Sequence, residues 1–268
     1  MNVSAPTNYH LTYEKDLMKV SLVTVTYQAA STLEDTIKSV LMQDHADIEY
    51  IIVDGGSKDN TIEILKHYEK DFNGRMRWIS EPDNGLYDAM NKGIKMSSGD
   101  IVGIINADDF YHHTNSISMV VEQFEDSDVD AVYGDVVFVR PNNLNKVARY
   151  YSSRNFTLSK FRFGFMPAHP TFFTKKAFFE KFGYYKTDYG ISADYELLIR
   201  FLYSHKLRTK YIPMALLTMR MGGKSSASIY SHFLLTYECI RAAKSNGIYT
   251  NMFLLMLKYP IKILEYLR

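Results

Sequence analysis

The sequence has a single cysteine, Cys239, so no disulfide can close within these 268 residues. A cysteine-built metal cluster is excluded for the same reason, and so sparse a use of cysteine points to a reducing compartment. Long apolar runs are missing too: no stretch reaches the roughly 18 apolar residues of a spanning helix. The opening "MNVSAPTNYHLTYEKDL" has no apolar core and is not expected to act as a signal peptide. Residues 1–18 read as an N-terminal extension, since "MKVSLVTVTY" from Met18 would itself make a sensible start. No G-x-G-x-x-G follows the first predicted strand, which sets aside a nicotinamide dehydrogenase. Neither internal repeats nor low-complexity segments occur.

What is present is globular. Hydrophobic residues make up 46 % and charged residues 23 %, enough for one large core or a domain with a C-terminal appendage. The 21 tyrosines suit either a Tyr-rich core or wide surfaces for stacking sugars or bases. A net charge of +1 conceals an asymmetry. Residues 197–268 hold eleven Lys or Arg against two acids, Glu238 and Glu265, so this part carries +9 and the first 196 residues carry −8. Such a tail either meets something anionic, such as phosphate or a membrane surface, or is a solvated basic face.

From Lys19 onward, short β-rich runs alternate with helical periodicity. "KVSLVTVTY", "IEYIIVDGG", "MRWIS", "DIVGIINADD" and "DAVYGDVVFV" read as strands. Between them, "STLEDTIKSVLMQ", "TIEILKHYEK", "LYDAMNKGIKM" and "SISMVVEQF" read as helices. Ser31 and Glu34 are spaced as a capping box, and Leu33, Ile37, Val40 and Leu41 share one face of the first helix. Strands separated by helices of this length predict βαβ units in an α/β fold with a mostly parallel, Rossmann-like sheet. After residue 140 the rhythm changes. Residues 140–170 read as loop, "KKAFFEKFG" and "DYELLIRFLYSH" as helical, and "MRMGGKSSAS" as a flexible segment. "IYSHFLLTYECIRAAKSNG" is a helix that Gly247 would stop.

Ligands of open α/β sheets bind beyond the carboxyl ends of the strands, where "TVTYQ", "DGGSKDNT", "SEPDNG" and "NADD" all fall. Gly55 and Gly56 permit close backbone approach or a positive φ. Asp54 could accept a hydrogen bond from a nucleobase imide or a ribose hydroxyl, and Asp59 is a natural helix N-cap. Asp108 and Asp109 put two like charges side by side. Either a divalent cation completed by phosphate oxygens relieves them, or Asp109 caps the following loop.

The run from "VTVTYQAAS" through "VDGGSKDNT" and "SEPDNGLYDAMNKG" to "IINADD" resembles the nucleotide-binding half of family 2 glycosyltransferases, inverting enzymes with a GT-A fold. The likeness covers roughly residues 19–136 and continues more loosely through "HPTFF" and "SADYELLIRF" to about residue 225. It implies that 19–139 binds the nucleotide-sugar, 140–226 binds the acceptor and supplies catalysis, and 227–268 is a helical extension. By the same resemblance, Thr24, Val25, Thr26, Tyr27, Asp54 and Gly55 would cradle the nucleotide, with Asp83 and Lys92 nearby. Asn106, Ala107 and Asp108 would meet the ribose and phosphates, and Asp108, Asp109 and His169 would serve a Mn²⁺ or Mg²⁺ ion. Asn106 stands where the family often has an acid; it can accept from a ribose hydroxyl but adds no charge to a metal site.

Inversion by single displacement needs one carboxylate to take the proton of the acceptor hydroxyl. The family often opens a helix with Glu-Asp at this point; "GISADYELLIRF" has Ala193 before Asp194, which leaves Asp194 as the base and Glu196 as its backup. A helix N-terminus would favour the ionised form of Asp194, though an N-cap would look the same. His169 would contribute beside the acceptor or metal, or act as a structural hydrogen-bonder. Arg220, Lys224 and Ser225 form a cationic segment suited to a diphosphate or acceptor loop, or an ordinary loop.

The expected function is therefore transfer of a hexose or N-acetylhexosamine from a nucleotide diphosphate donor, a UDP-sugar, to a saccharide or lipid-linked saccharide. The alternatives are a non-catalytic nucleotide-sugar-binding protein and a sugar nucleotidyltransferase. The latter expects a Gly-rich basic loop that "TVTYQAAST" lacks. No nucleic-acid partner is expected. The resemblance further implies a cytoplasmic enzyme of bacterial polysaccharide or cell-envelope assembly. The apolar tail "NMFLLMLKYPIKILEYLR", interrupted by Pro260, would lie on the inner face of the plasma membrane, dock on the core or join a homodimer.

Overall fold

A computed structural model describes residues 18–222 and 229–258. β1 (Val20–Thr26), β2 (Ile48–Asp54), β3 (Met76–Ser80) and β4 (Ile101–Ile104) lie in the order β3-β2-β1-β4 and run parallel. Between them come α1 (Leu33–Leu41), α2 (Thr61–Glu69) and α3 (Leu86–Met96). β1 and β2 are buried at every residue, as strands covered on both faces must be. The period of two divides β2: Ile51 and Val53 face α3, whereas Tyr50 and Ile52 join the core that holds Leu33 and Ile37 of α1. Gly93 lets α3 lie close against the sheet, because a Cβ there would collide with the Val23 side chain.

The second half of the chain completes the same sheet. β5 (Phe110–Tyr111), α4 (Ser116–Phe124) and β6 (Ala131–Arg140) are followed by β7 (Asn143–Tyr151), β8 (Phe173–Lys175) and β9 (Thr209–Arg220). The full order is β3-β2-β1-β4-β8-β6-β9-β5, with β7 paired to β6. β8 runs antiparallel to both β4 and β6, and β6 and β9 are parallel. α5 (Lys176–Phe182) and α6 (Ala193–Leu198) follow β8, and α6 continues into a π-helical stretch, Ile199–Ser204. α7 (Ile229–Ser245) packs its Cys239, Ala242 and Ala243 into the core that also holds α6. Burial pushes the Cys239 thiol up to about 11, consistent with a purely packing role. Gly247, with φ +78°, follows α7 and leads to α8 (Met252–Met256).

Three local expectations need correction, and one strand, β9, carried no expectation. Residues 143–151, read as loop, form β7; most of its side chains are exposed, so no apolar alternation marks it. "TKYIPMALLTMR" forms β9 although Pro213 sits inside it; the pairing with β6 is irregular there, where a strand can tolerate proline. Ser31 and Glu34 form no capping box: Thr32 is the N-cap without a side-chain hydrogen bond, and Glu34 binds Tyr68 and Lys38. Asn60, not Asp59, caps α2, although Asp59 still accepts from the Thr61 main chain at 3.1 Å.

Candidate active site

The parallel register brings the strand ends to one edge: Thr26 pairs with Asp54, and Asp54 with Ser80. β4 lies on the other side of β1, and Ile105 donates its N–H to the Val23 carbonyl at 2.9 Å. β8 approaches β4 from the opposite direction, with Gly103 opposite Phe173. The short 3-10 turn His169–Thr171 before β8 therefore lies beside the carboxyl end of β4.

At this edge Asp54 is fully buried and occupied. Its Oδ2 accepts from the N–H groups of Gly56 and Ser57 at 3.0 and 2.9 Å and from Ser80 Oγ at 2.6 Å. Its Oδ1 accepts from Ser57 Oγ at 2.5 Å. The expectation that Asp54 reads a base meets a carboxylate whose bonds tie the ends of β2 and β3 together. Tyr27, in contrast, is 62 % exposed. A Cβ built on Gly55 would stand 2.6 Å from Asp83 Oδ2 and 3.4 Å from the Tyr27 ring. Gly55 therefore makes room for the Asp83 carboxylate beside that ring. Lys92 is engaged with Glu81 at 2.8 Å and with the Pro82 carbonyl at 3.3 Å, so it braces the 81–85 loop from behind. Thr24 is buried against the Tyr50 hydroxyl, Val25 is buried in the core, and the buried Thr26 hydroxyl has no hydrogen-bond partner.

The adjacent acids after β4 part company. Asp108 is partly exposed, whereas Asp109 is buried. Asp109 Oδ2 accepts from the Asn106 amide at 2.9 Å, while its Oδ1 is buried without a partner. Burial first, and the Asp108 charge second, hold the Asp109 carboxyl well above the usual carboxylate range. Ala107, between Asn106 and Asp108, is buried. Arg220, expected in a free loop, is the last residue of β9: its guanidinium binds the Asp108 carbonyl and the Asp35 carboxylate and lies over Phe110. It braces the Asp108 turn. Lys224 and Ser225 lie outside the described residues.

His169 does not join Asp108 and Asp109 in a ligand set; among the described residues no three His, Cys, Asp or Glu gather to hold a metal ion. Its Nδ1 lies 3.1 Å from Asp194 Oδ2. The donors after β4 are thus one accessible carboxylate and one inward carboxylate with an orphan oxygen. That set does not make a protein cage, but it fits a hard divalent cation held by one or two carboxylates and completed by phosphate oxygens.

Asp194 lies in the first turn of α6, and its Oδ1 accepts from the Tyr195 N–H at 2.8 Å. The Tyr87 hydroxyl, from α3, donates to the Ile191 carbonyl at 2.5 Å and lies 3.5 Å from Asp194 Oδ1. Burial, then the Asp194 charge, raises the Tyr87 phenol well above its usual range, so it stays a donor. Glu196 is no backup base: it is fully buried and bound to Lys186 at 2.8 Å and Arg200 at 3.0 Å. Those partners outweigh burial and keep its carboxyl low.

Glu238 of α7 was not anticipated as a site residue. Its buried carboxylate accepts from three successive N–H groups, those of Gly190, Ile191 and Ser192, at 2.6, 2.9 and 2.9 Å. It fixes the turn that delivers Asp194. The signal was available, since Glu238 is the only acid between residues 197 and 264. Between this turn and residues 84–88, where α3 begins, lies a cleft of about 330 Å³, lined by Asn84, Tyr87, Asp88, Asp188 and Tyr189 among others.

The profile of glycosyl transferase family 2 matches residues 21–183. The chain belongs to this family. A PGL/p-HBAD biosynthesis glycosyltransferase of Mycobacterium tuberculosis is 28 % identical over 218 residues, 80 % of this chain and 82 % of the relative. An uncharacterized glycosyltransferase of the same species is 33 % identical over 185 residues, 68 % of each chain. Two solved structures share the fold. TarS 1-349 of S. aureus in complex with UDP-GlcNAc has a TM-score of 0.67 at 16 % identity, covering 87 % of this chain and 68 % of that one. The mannosyltransferase PcManGT from Pyrobaculum calidifontis in complex with GDP-Man and Mn²⁺ has a TM-score of 0.60 at 17 % identity, covering 92 % and 80 %. Against a longer S. aureus TarS chain, this glycosyltransferase spans only 40 % of the length. The architecture is thus the mixed α/β GT-A fold that the sequence led us to expect.

Proposed function

We propose that this glycosyltransferase moves a sugar from a UDP-sugar to a hydroxyl of a saccharide or lipid-linked saccharide, inverting the anomeric centre. The observation that carries the proposal is the placement of Asp194: a carboxylate adjoined by Tyr87 and held by His169, whose turn lies beside the carboxyl end of β4. Asp194 takes the proton of the acceptor hydroxyl as that oxygen bonds to the anomeric carbon and the nucleotide diphosphate departs. His169 and the Tyr195 N–H fix the orientation of the carboxylate. The cleft beside Tyr87 receives the acceptor, whose hydroxyl-rich surface suits its polar walls and the Tyr189 ring.

On the donor side, Tyr27 stacks on the base and Asp83 accepts from its imide, in the space that Gly55 leaves. Asp108 would hold a Mn²⁺ or Mg²⁺ ion, with Asp109 behind it, and Asn106 meets the ribose. A bound divalent cation supplies charge neutralisation for the leaving diphosphate. The solved neighbours with UDP-GlcNAc and GDP-Man support a nucleotide-sugar donor in general; the choice of uridine rests on Asp83 as an acceptor for the imide. Residues 19–139 would act as the donor half and 140–226 as the acceptor half, in the cytoplasm of a bacterium.

Calorimetric titration with UDP in the presence and absence of Mn²⁺ tests this reading. We expect Mn²⁺ to tighten UDP binding, and Asp108→Ala to abolish that gain. An Asp108→Ala protein that binds UDP and Mn²⁺ as the parent does would remove the cation from Asp108. Nuclear magnetic resonance of the product bond then reads the stereochemistry, and a retained configuration would end the single-displacement scheme.

A further inference from the structure

α8 carries its apolar residues on the wrong side for a helix that only packs on its own protein. Met252, Phe253, Met256 and Leu257 follow the i, i+1, i+4, i+5 spacing of one helical face, yet all four are exposed, Phe253 at 71 %, and Tyr249, just before the extended N-cap Asn251, is 69 % exposed. Leu255 points the other way, into the core. Single exposed apolar side chains are ordinary, but a continuous stripe is a contact surface.

The charge around the stripe decides what it meets. α8 packs on the 3-10 turn Leu158–Phe163, where Leu158 is exposed as well. The Arg162 guanidinium of that turn lies 6.0 Å from the Tyr249 ring centroid. The two segments that meet here are free of acids: none occurs between Asp135 and Glu180 or between Glu238 and Glu265. The turn under α8 contributes Lys160 and Arg162. A second copy of this face would bring cations against cations, so an isologous dimer is opposed. An anionic membrane surface satisfies both features at once, with aromatic and thioether groups entering the headgroup boundary and cations meeting lipid phosphates.

We propose that the α8 stripe and its basic border form a peripheral docking surface for an anionic bilayer. Among the described residues no helix is long and apolar enough to cross a membrane, so the contact is interfacial. The orientation this imposes is independent of donor chemistry, and it would hold the enzyme where a lipid-linked acceptor resides.

The test is co-sedimentation of the full chain with vesicles of equal parts phosphatidylcholine and phosphatidylglycerol, beside vesicles of phosphatidylcholine alone. We expect binding to the mixed vesicles only, weakening as salt shortens the screening length below its value of about 10 Å at 0.1 M. The double variant Phe253→Ser with Met256→Ser should lose at least tenfold in partitioning while melting and binding UDP as the parent does. The proposal is overturned by equal vesicle binding in that variant or by no binding of the parent. It fails likewise if the parent is a dimer that the variant dissolves, because the stripe then serves self-association. UDP binding in all these proteins keeps the outcome separate from the fate of the donor-site reading.

Discussion

His169 Nδ1 and Asp194 Oδ2 lie 3.1 Å apart, joining the turn before β8 to the first turn of α6. The contact holds the carboxylate in one orientation, so its two residues should fail differently when replaced. Asp194→Asn removes the proposed proton acceptor and should lower turnover by about 10²–10⁴-fold, the usual worth of a general base, while UDP affinity is kept. His169→Gln retains a donor toward Asp194 and should cost much less than His169→Ala, for which misorientation predicts a loss on the order of 10²-fold in kcat. Steady-state rates at saturating donor, set beside UDP affinity with Mn²⁺, separate the cases. Loss of Mn²⁺-dependent UDP affinity in His169→Ala would instead make His169 a metal ligand.

Gly55 offers a sharper probe of the donor side. An alanine Cβ would meet Asp83 Oδ2 at 2.6 Å, so the Asp83 side chain must move from its place beside Tyr27. Gly55→Ala should weaken UDP binding by roughly tenfold, the factor that about 1.4 kcal/mol produces. Asp83→Asn should weaken it by a similar factor without any packing change. Calorimetry on both proteins is the measurement; unchanged affinity in the pair would take base recognition away from this corner.

Much of this was legible in the sequence because strand and helix periods are strong there. β1 and β2 announce themselves as short runs rich in β-branched residues, and "LYDAMNKGIKM" coincides with α3 from Leu86 to Met96. The grouping of Tyr27, Asp83 and Asp108 at strand ends follows from parallel topology alone. What the sequence could not disclose was which way a carboxylate points. Asp54 and Asp109 look alike in one dimension, but Asp54 spends both oxygens on Gly56, Ser57 and Ser80, whereas Asp109 is buried against Asn106 with one oxygen left unpartnered. β7 and β9 escaped for opposite reasons, one too exposed to alternate and the other interrupted by Pro213. Glu238 acts across 46 to 48 residues of chain, a distance that local patterns do not span.

That long-range hold yields its own prediction. Glu238→Gln replaces one acceptor oxygen by an amide donor, which cannot serve N–H groups that point at it from Gly190, Ile191 and Ser192. The turn should loosen and Asp194 with it, lowering kcat by roughly tenfold to 10²-fold. UDP affinity should remain, since the Glu238 carboxylate bonds to the Gly190–Ser192 turn and not to the strand ends around Tyr27 and Asp83. Circular dichroism melts tell misplacement from unfolding, and an equal fall in UDP affinity would make Glu238 a general scaffold residue.

Stability at the opposite edge of the sheet should depend on pH through Glu49. Burial opposes its ionisation, but bonds from Ser21, the Ser98 N–H and hydroxyl, and Arg77 outweigh this and bring its carboxyl down to about 2. A carboxyl lowered below its unfolded value of about 4.3 stabilises the fold above that pH, and loses this contribution as pH falls toward 2. The Arg77 side chain is 48 % exposed, so solvent screening reduces the contribution to about 1–2 kcal/mol. Glu49→Gln should therefore melt below the parent at neutral pH, and the gap should narrow as both proteins are taken below pH about 4. Parallel melts across that range check the sign: a gap that widens in acid would mean Glu49 is protonated in the folded chain, and its bonds to Ser21 and Ser98 would then have to be reassigned with the carboxyl as donor.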